Sequence, residues 1–96
     1  MISQGSIHAQ LLQIKPYLET KFHISSIGLF GSVVRNDFTH DSDIDIVVDF
    51  NQPVGIEFVD LALELEELLQ RKVDLVSRKG IKPKYFEAIQ TEIVYV

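Results

Sequence analysis

Residues Ile27 to Phe50 read IGLFGSVVRNDFTHDSDIDIVVDF, and the rest of the chain is best understood from this stretch. It contains an apolar strand pattern, a Gly-Ser pair, a polar loop and a second strand pattern that opens with Asp43 and Asp45. Because side chains alternate along a strand with period two, these two carboxylates are expected on the same side. Two neighbouring carboxylates repel each other unless a cation lies between them, so the stretch indicates a metal site.

The composition of the 96 residues predicts one small globular domain, 1–96, with 46% hydrophobic and 24% charged residues. No apolar run approaches the roughly 20 residues that cross a bilayer. The first ten residues also lack the basic start and apolar core of a signal peptide. Since the chain has no cysteine, a metal would be bound by oxygen or histidine ligands. A cytoplasmic protein without membrane contact is therefore expected.

The charge is unevenly distributed along the chain. A net charge of −5 argues against a protein that coats nucleic acid, so no direct nucleic-acid binding is expected. Six of the nine basic residues lie within 71–84, whereas acidic residues crowd 37–67. This asymmetry suits a site that binds a metal and a polyanion together, and it equally suits a solvated basic loop. The roles of Lys79, Lys82 and Lys84 stay open between these two interpretations.

Hydrophobic periodicity predicts alternating helices and strands. Ser6 is a candidate N-cap for the first helix, and Pro16 indicates either a kink or the start of a second helix. The apolar run Ile46–Val48 is typical of a central strand. These patterns predict an α/β (α+β) domain with a small mixed sheet flanked by helices. The predicted helices are 6–20, 32–37, 56–70 and 84–91, and the predicted strands are 24–30, 44–50, 73–77 and 93–96.

Three predicted strands each carry a polar group near one end. The first is followed by Gly31 and Ser32, the second carries Asp43 and Asp45, and the third carries Asp74. If these strands are neighbours, three carboxylates meet at one edge of the sheet, where hard oxygen ligands suit Mg²⁺. Two such ions can stabilise both the attacking and the leaving oxygen of a phosphoryl displacement. The Gly-Ser turn, opening a helix, would supply N–H donors for the phosphates.

The spacing of these residues resembles a known family signature. The Gly-Ser pair, ten further residues and then Asp43-x-Asp45 match the G-S-x10-D-x-D signature of the DNA polymerase β-like nucleotidyltransferases. The surrounding stretch resembles the minimal nucleotidyltransferase (MNT) group, and Asp74 matches that superfamily's third carboxylate. The resemblance covers Ile24 through Lys84. The stretch departs from the common MNT pattern at two positions, Asn36 and His40.

The resemblance implies an antitoxin of the HEPN–MNT toxin–antitoxin pairs, in which AMP is transferred from ATP onto a tyrosine of a HEPN ribonuclease toxin. Two Mg²⁺ ions and ATP are thus the expected cofactor and substrate, and a HEPN-type toxin is the expected partner. The resemblance leaves open whether the chain forms a homo-oligomer or a hetero-oligomer with that toxin. By the same resemblance, catalytic and metal-binding roles are expected for Asp43, Asp45 and Asp74, and nucleotide-binding roles for Gly31, Ser32 and Arg35.

Several alternatives remain open at the level of sequence. Arg35 is either a phosphate ligand or a surface arginine that pairs with Asp37. Val59 and Leu63 fall off the apolar stripe of their helix, so they are either half-buried or part of a partner surface. The protein could therefore neutralise its toxin by binding alone, or transfer a nucleotide to another acceptor. A histidine metal site is disfavoured because the three histidines are scattered.

Overall fold

The structure is a computed structural model of the chain and describes residues 4–35, 38–39 and 41–96, with the side chains of residues 4–6 left aside. The predictions for Asn36, Asp37 and His40 lie outside the described residues. The helices are α1 (Gln4–Phe22), α2 (Glu57–Leu69) and α3 (Pro83–Ile89), the strands are β1 (Ile24–Phe30), β2 (Ile44–Phe50), β3 (Val73–Ser77) and β4 (Val94–Tyr95), and a short 3-10 helix spans Gly31–Val34.

The four strands form one mixed sheet in the order β3-β2-β1-β4. Strand β1 pairs antiparallel with both β2 and β4, whereas β2 and β3 are parallel. A parallel pair needs a long crossover, and α2 provides it between β2 and β3. The α/β prediction is confirmed, including the central position of β2.

One side of the sheet, here the helical face, is covered by α1 and α2. Strand β2 contributes Ile44, Ile46 and Val48 to it, each 0% exposed. These residues form one apolar core with side chains from β1 and from both helices. The buried helix residues of this core are Ile7, Leu11, Leu18 and Phe22 of α1 and Leu61, Leu65 and Leu69 of α2.

The opposite side of the sheet, here the site face, has a smaller cover. Phe30 and Val47 are buried there against Ile89 of α3, with Val76, Ile81 and Ile93 packed around them. Since side chains alternate along β2, Asp45 and Asp49 lie on this same face as Val47. The site face therefore combines a small apolar patch with carboxylates at both ends of β2.

Several local predictions need correction. Helix α1 begins at Gln4, so Ser6 lies inside it, and the helix continues through Pro16 without a second start. The proline is exposed, where water can reach the carbonyl that loses its helical partner. In the described part of the predicted helix over 32–37, the structure has a 3-10 helix, Gly31–Val34, that ends before Arg35. The apolar spacing of α2 predicts a buried Leu68, whereas this side chain is 43% exposed. In the described part of the chain, no helix combines the length and apolar character needed to cross a membrane.

Candidate active site

The Gly-Ser turn follows directly from the end of β1. Gly31 is buried and has a φ of +75°, a left-handed conformation that favours glycine. A Cβ atom built on Gly31 would collide with Oδ2 of Asp45 on the neighbouring strand. The sequence therefore has glycine here for two reasons, backbone conformation and close approach to a carboxylate. The contact also brings the turn and the aspartates of the signature together.

The aspartates of the second and third predicted strands are brought together by the sheet. Asp45 of β2 and Asp74 of β3 are direct partners in the parallel register, and Asp45 is also opposite Phe30 of β1. Asp43 lies just before β2 and is exposed, as is Asp74, whereas Asp45 is partly buried. The strands β1, β2 and β3 are therefore neighbours in the sheet, as the sequence analysis required. The carboxylates lie at one end of the site face.

The pKa of Asp45 shows how strongly this environment disfavours negative charge. Partial burial is the largest cause that raises it, followed by the charges of Asp74 and Asp43, and the result is a pKa of about 6. The positive charge of Arg35 acts in the opposite direction but does not compensate. A divalent cation at this position would relieve the repulsion, because it stabilises the ionised form of each carboxylate.

Asp43, Asp45 and Asp74 are the candidate ligands for Mg²⁺. All three candidate ligands are carboxylates, which are the donors that Mg²⁺ prefers. Within the described residues, however, no three acidic, histidine or cysteine side chains are already arranged as a metal-binding cluster. Two of the carboxylates, those of Asp43 and Asp74, are exposed enough to reorient around an ion. The donor set suits the ion, and the magnesium site stays a prediction.

Ser32 and Arg35 complete the predicted nucleotide-binding turn. Ser32 is partly buried in the 3-10 turn, and its carbonyl oxygen accepts a hydrogen bond from the Arg35 N–H at 3.2 Å. The Arg35 side chain is 53% exposed and forms an ion pair with Glu92 at 3.3 Å. Asp37 lies outside the described residues, so its predicted pairing with Arg35 stays a prediction. Among the described residues, Glu92 is an acidic partner of Arg35.

Glu92 is a residue of this site that the sequence did not reveal. One of its carboxylate oxygens accepts a hydrogen bond from the Gly31 N–H at 3.0 Å. Both oxygens also lie near the Arg35 guanidinium, at 3.4 and 3.3 Å. Glu92 follows α3, 61 residues after Gly31, and no motif or periodicity connects the two positions. Only the packing of the C-terminal segment brings them together.

Arg71 is a second residue that the sequence left unassigned. Its guanidinium donates hydrogen bonds to the backbone carbonyls of Thr39 and Ser42, at 2.9 and 2.6 Å. It also stacks on the Phe38 ring, 4.8 Å from the ring centroid. Arg71 thereby supports the loop that leads into Asp43. In sequence it was only one member of the basic stretch.

Lys79, Lys82 and Lys84, whose roles the sequence left open, are exposed. Lys79 lines a cleft of about 250 Å³ together with Phe50, at the end of β2 opposite Asp45. Five residues of strand correspond to roughly 16 Å, which is too far for direct contact with the aspartates. Lys82 immediately precedes α3 and is exposed, as is Lys84 within it. A second cleft, of about 310 Å³, lies between α1 and α2, and none of Asp43, Asp45 and Asp74 lines it.

The chain is similar in sequence to nucleotidyltransferases over nearly its whole length. A family model described as a nucleotidyltransferase domain matches residues 11–96. The protein adenylyltransferase MntA of Thermococcus cleftensis is 38% identical over 97 residues, covering 100% of this chain and 98% of that protein. A candidate protein adenylyltransferase of Methanocaldococcus jannaschii is 41% identical over 100 residues, covering 100% of both chains. This chain belongs to the nucleotidyltransferase domain family and is a nucleotidyltransferase enzyme.

Solved structures place the chain in a narrower group. A candidate minimal nucleotidyltransferase has a TM-score of 0.82 and 29% identity, covering 97% of this chain and 95% of its own. A toxin–antitoxin crystal structure with AMP-PNP has a TM-score of 0.70 and 25% identity, with coverages of 98% and 72%. One chain in the structure of the Shewanella oneidensis complex between tri-AMPylated HEPN toxin and MNT antitoxin shows the same fold. It is 24% identical, with a TM-score of 0.71 and coverages of 93% and 70%. Together with the MntA relative, these structures show that the chain is a nucleotidyltransferase of the MNT antitoxin type, as its signature predicted.

Proposed function

We propose that this protein uses ATP and Mg²⁺ to transfer AMP onto a tyrosine hydroxyl of a cognate HEPN-type ribonuclease toxin, and thereby neutralises it. The observation that carries the proposal is the convergence of Asp45, Asp74 and the Gly31 turn at one end of the site face. The name of the Thermococcus cleftensis relative, a protein adenylyltransferase, supports the reaction class. The AMP-PNP-containing toxin–antitoxin structure supports a nucleotide substrate, and the tri-AMPylated HEPN toxin supports the acceptor protein.

In this proposal the carboxylates and the turn have separate tasks. Asp43 and Asp45 would bind both magnesium ions, and Asp74 would complete the second ion's site. Bound Mg²⁺ supplies charge neutralisation to the phosphates and lowers the pKa of a coordinated hydroxyl. Gly31 and Ser32 would hold the triphosphate, and Arg35 would bind it as a charge-assisted donor. Positioning and electrostatics account for most of the catalysis in phosphoryl transfer, so a domain this small can suffice.

The proposed transfer is an in-line displacement at the α-phosphorus of ATP. The tyrosine oxygen forms a bond to this phosphorus while the bond to the oxygen bridging toward the β-phosphate breaks, and pyrophosphate leaves. The phenolic proton, whose ordinary pKa is about 10, must be removed for the oxygen to attack at neutral pH. In this proposal Asp74, which is exposed on the edge strand β3, would lie closest to the attacking hydroxyl and would accept its proton.

A second candidate function, neutralisation by binding alone, is favoured by an exposed apolar surface formed by α2 and its N-cap residue. Ile56, Val59 and Leu63 are 74%, 53% and 60% exposed. Exposed apolar side chains that lie close together often mark a protein–protein contact. This surface is also compatible with the enzymatic proposal, because a protein acceptor must dock before its tyrosine can react. The two functions therefore differ in whether the aspartates are needed.

The enzymatic proposal is tested by incubating the protein with ATP labelled at the α-phosphate, Mg²⁺ and the product of the neighbouring gene. We expect label on that partner with wild-type protein and a loss of about 100-fold or more with Asp45→Asn. The matched control is Asp49→Asn, which makes the same change on the same face at the other end of β2. Equal labelling by both variants, or no labelling although the two proteins bind, would overturn the proposal.

The binding-only function is distinguished by a toxicity assay. If a variant with Asp43, Asp45 and Asp74 all changed to asparagine still rescues cells from the toxin, catalysis is not required. If rescue is lost while the complex still forms, the enzymatic proposal is supported. Changing both Val59 and Leu63 to serine should weaken the complex and leave the folded domain intact, since both side chains are exposed.

A further inference from the structure

Glu92 places a carboxylate on two of the donors assigned above to the nucleotide. It accepts a hydrogen bond from the Gly31 N–H at 3.0 Å and pairs with the Arg35 guanidinium at 3.3 Å. The Glu92 side chain is 27% exposed, so this contact is partly sheltered from solvent. Carboxylate and phosphate oxygens are acceptors of the same kind, and both prefer charged or backbone N–H donors. The Gly31 N–H cannot fully serve both at once.

We propose that Glu92 is an internal competitor of the nucleotide: its carboxylate occupies a position of the polyphosphate and must leave before the polyphosphate binds. This inference rests on the proposed function, which assigns the triphosphate to Gly31, Ser32 and Arg35. Binding of a ligand to a state that is only partly populated lowers its apparent affinity by that fraction. Glu92 would therefore lower the affinity for ATP in the free protein.

The backbone around Glu92 is held on both sides, which limits displacement to the side chain. The Glu92 N–H donates to the Ile89 carbonyl at 2.9 Å, and Ile89 is buried on the site face. After Glu92, β4 pairs with β1 through Tyr95 and Gly28. A Cβ on Gly28 would lie 2.8 Å from Cγ2 of Ile93, so the two segments are in close contact. Rotation of the glutamate side chain is the movement that frees the donors while these contacts persist.

The competition should discriminate among ligands by their negative charge. Displacement requires a ligand that interacts with Gly31 and Arg35 more strongly than the single carboxylate already there. A polyphosphate carries several negative charges and can do so, whereas adenosine carries none and gains nothing from the displacement. Removing the charge of Glu92 should therefore strengthen binding of tripolyphosphate and ATP and leave adenosine unaffected.

The test is a titration of tripolyphosphate, MgATP and adenosine into wild-type protein, Glu92→Gln and Glu87→Gln. Glu87 is an exposed residue of α3, so its variant makes the same change in net charge away from the contact. We expect about three- to tenfold tighter binding of tripolyphosphate and MgATP by Glu92→Gln, and less than about twofold change in Glu87→Gln. Unchanged or weaker binding by Glu92→Gln would overturn the inference, since Glu92 would then only position Arg35.

A measurement on wild-type protein makes the inference independent of any variant. In a structure of the complex with tripolyphosphate or MgATP, the Glu92 carboxylate should no longer accept the Gly31 N–H. If that hydrogen bond persists with the ligand bound at this turn, the inference is wrong. The labelled-AMP assay separates it from the proposed function. If AMP is transferred but Glu92→Gln does not change the affinity, only the inference about Glu92 is wrong. If Glu92→Gln binds polyphosphate more tightly but no AMP is transferred, only the proposed reaction is wrong.

Discussion

The two faces of the sheet are built from the same strands but have different roles, since one forms the main core and the other carries the candidate active site. On the helical face, β2 contributes Ile44, Ile46 and Val48, all 0% exposed beneath two helices. On the site face, the alternate positions of β2 are Asp45, Val47 and Asp49. The helical face gains stability from apolar burial, whereas the site face brings repelling carboxylates together at a cost in stability. A minimal enzyme can carry this cost because the opposite face of the same strands is so well packed.

The largest expected effect is on the helical face. Leu65→Ala removes a side chain that is 0% exposed in the core of α2, which should destabilise the protein by about 2–5 kcal/mol. Denaturant unfolding of this variant measures the loss directly. Leu63→Ala, on the same helix but 60% exposed, should change the free energy of unfolding by less than about 0.5 kcal/mol. Similar losses in both variants would mean that α2 is not packed as described.

The next largest effect on stability is expected at Gly31, where the turn after β1 contacts Asp45 of β2. Gly31→Ala places a Cβ against the Asp45 carboxylate at a positive φ, which should cost about 1–3 kcal/mol. AMP transfer should fall as well, because the turn and the carboxylate cannot keep their places. The control is Gly55→Ala, whose Cβ would meet its nearest atom only at 3.9 Å. A Gly31→Ala protein that unfolds and reacts like the control would disprove this close contact.

A smaller effect on the free energy of unfolding is expected from pH, and it arises from Asp45 on the site face. The pKa of Asp45 is raised on folding from 3.8 to about 6, so the metal-free native state binds the extra proton. This contribution is complete below the unfolded value and is lost as the pH rises through about 6. For a half-exposed carboxyl we expect a loss of about 1–2 kcal/mol, after allowance for solvent screening.

Unfolding curves in a chelator at pH 5 and pH 7.5 measure this dependence. Asp45→Asn should remove it and make the metal-free domain more stable than wild type at pH 7.5. Mg²⁺ should reduce the difference between wild type and variant at pH 7.5, because it stabilises the ionised carboxylate. If Asp45→Asn keeps the pH dependence of wild type, the carboxyl is not in the crowded environment described here.

The smallest effect on stability is expected at the loop that leads into the site. Arg71→Lys keeps the charge but loses the planar group that contacts Thr39, Ser42 and Phe38, and should cost less than about 1 kcal/mol. AMP transfer should still fall about three- to tenfold, because Asp43 follows this loop directly. Arg78→Lys is the matched control, since Arg78 stacks on Phe86 away from the loop. Equal rates in the two variants would argue against a positioning role for Arg71.

Much of the architecture was predictable because its signals are local. The predicted bounds of β1, β2 and β3 agree with the structure, since each strand is a short β-branched run that ends at a Gly, Pro, Asn or Ser signal. Helix α2 was predicted within one residue at each end from its apolar stripe. The 3-10 turn at Gly31–Val34 was predicted too long, since Val33 and Val34 continue an apolar pattern that does not specify helix type.

The sequence by itself determined the strands, their alternating faces and the signature that includes Gly31, Asp43 and Asp45. These depend on spacing within one segment, where backbone geometry converts residue number into direction. Only the tertiary structure decided that Asp74 lies in register with Asp45 and that Glu92 lies on the Gly31 turn. Both contacts join segments far apart in the chain, and their formation depends on sheet order and core packing. The turn assigned to the nucleotide therefore also holds a carboxylate from the C-terminal segment.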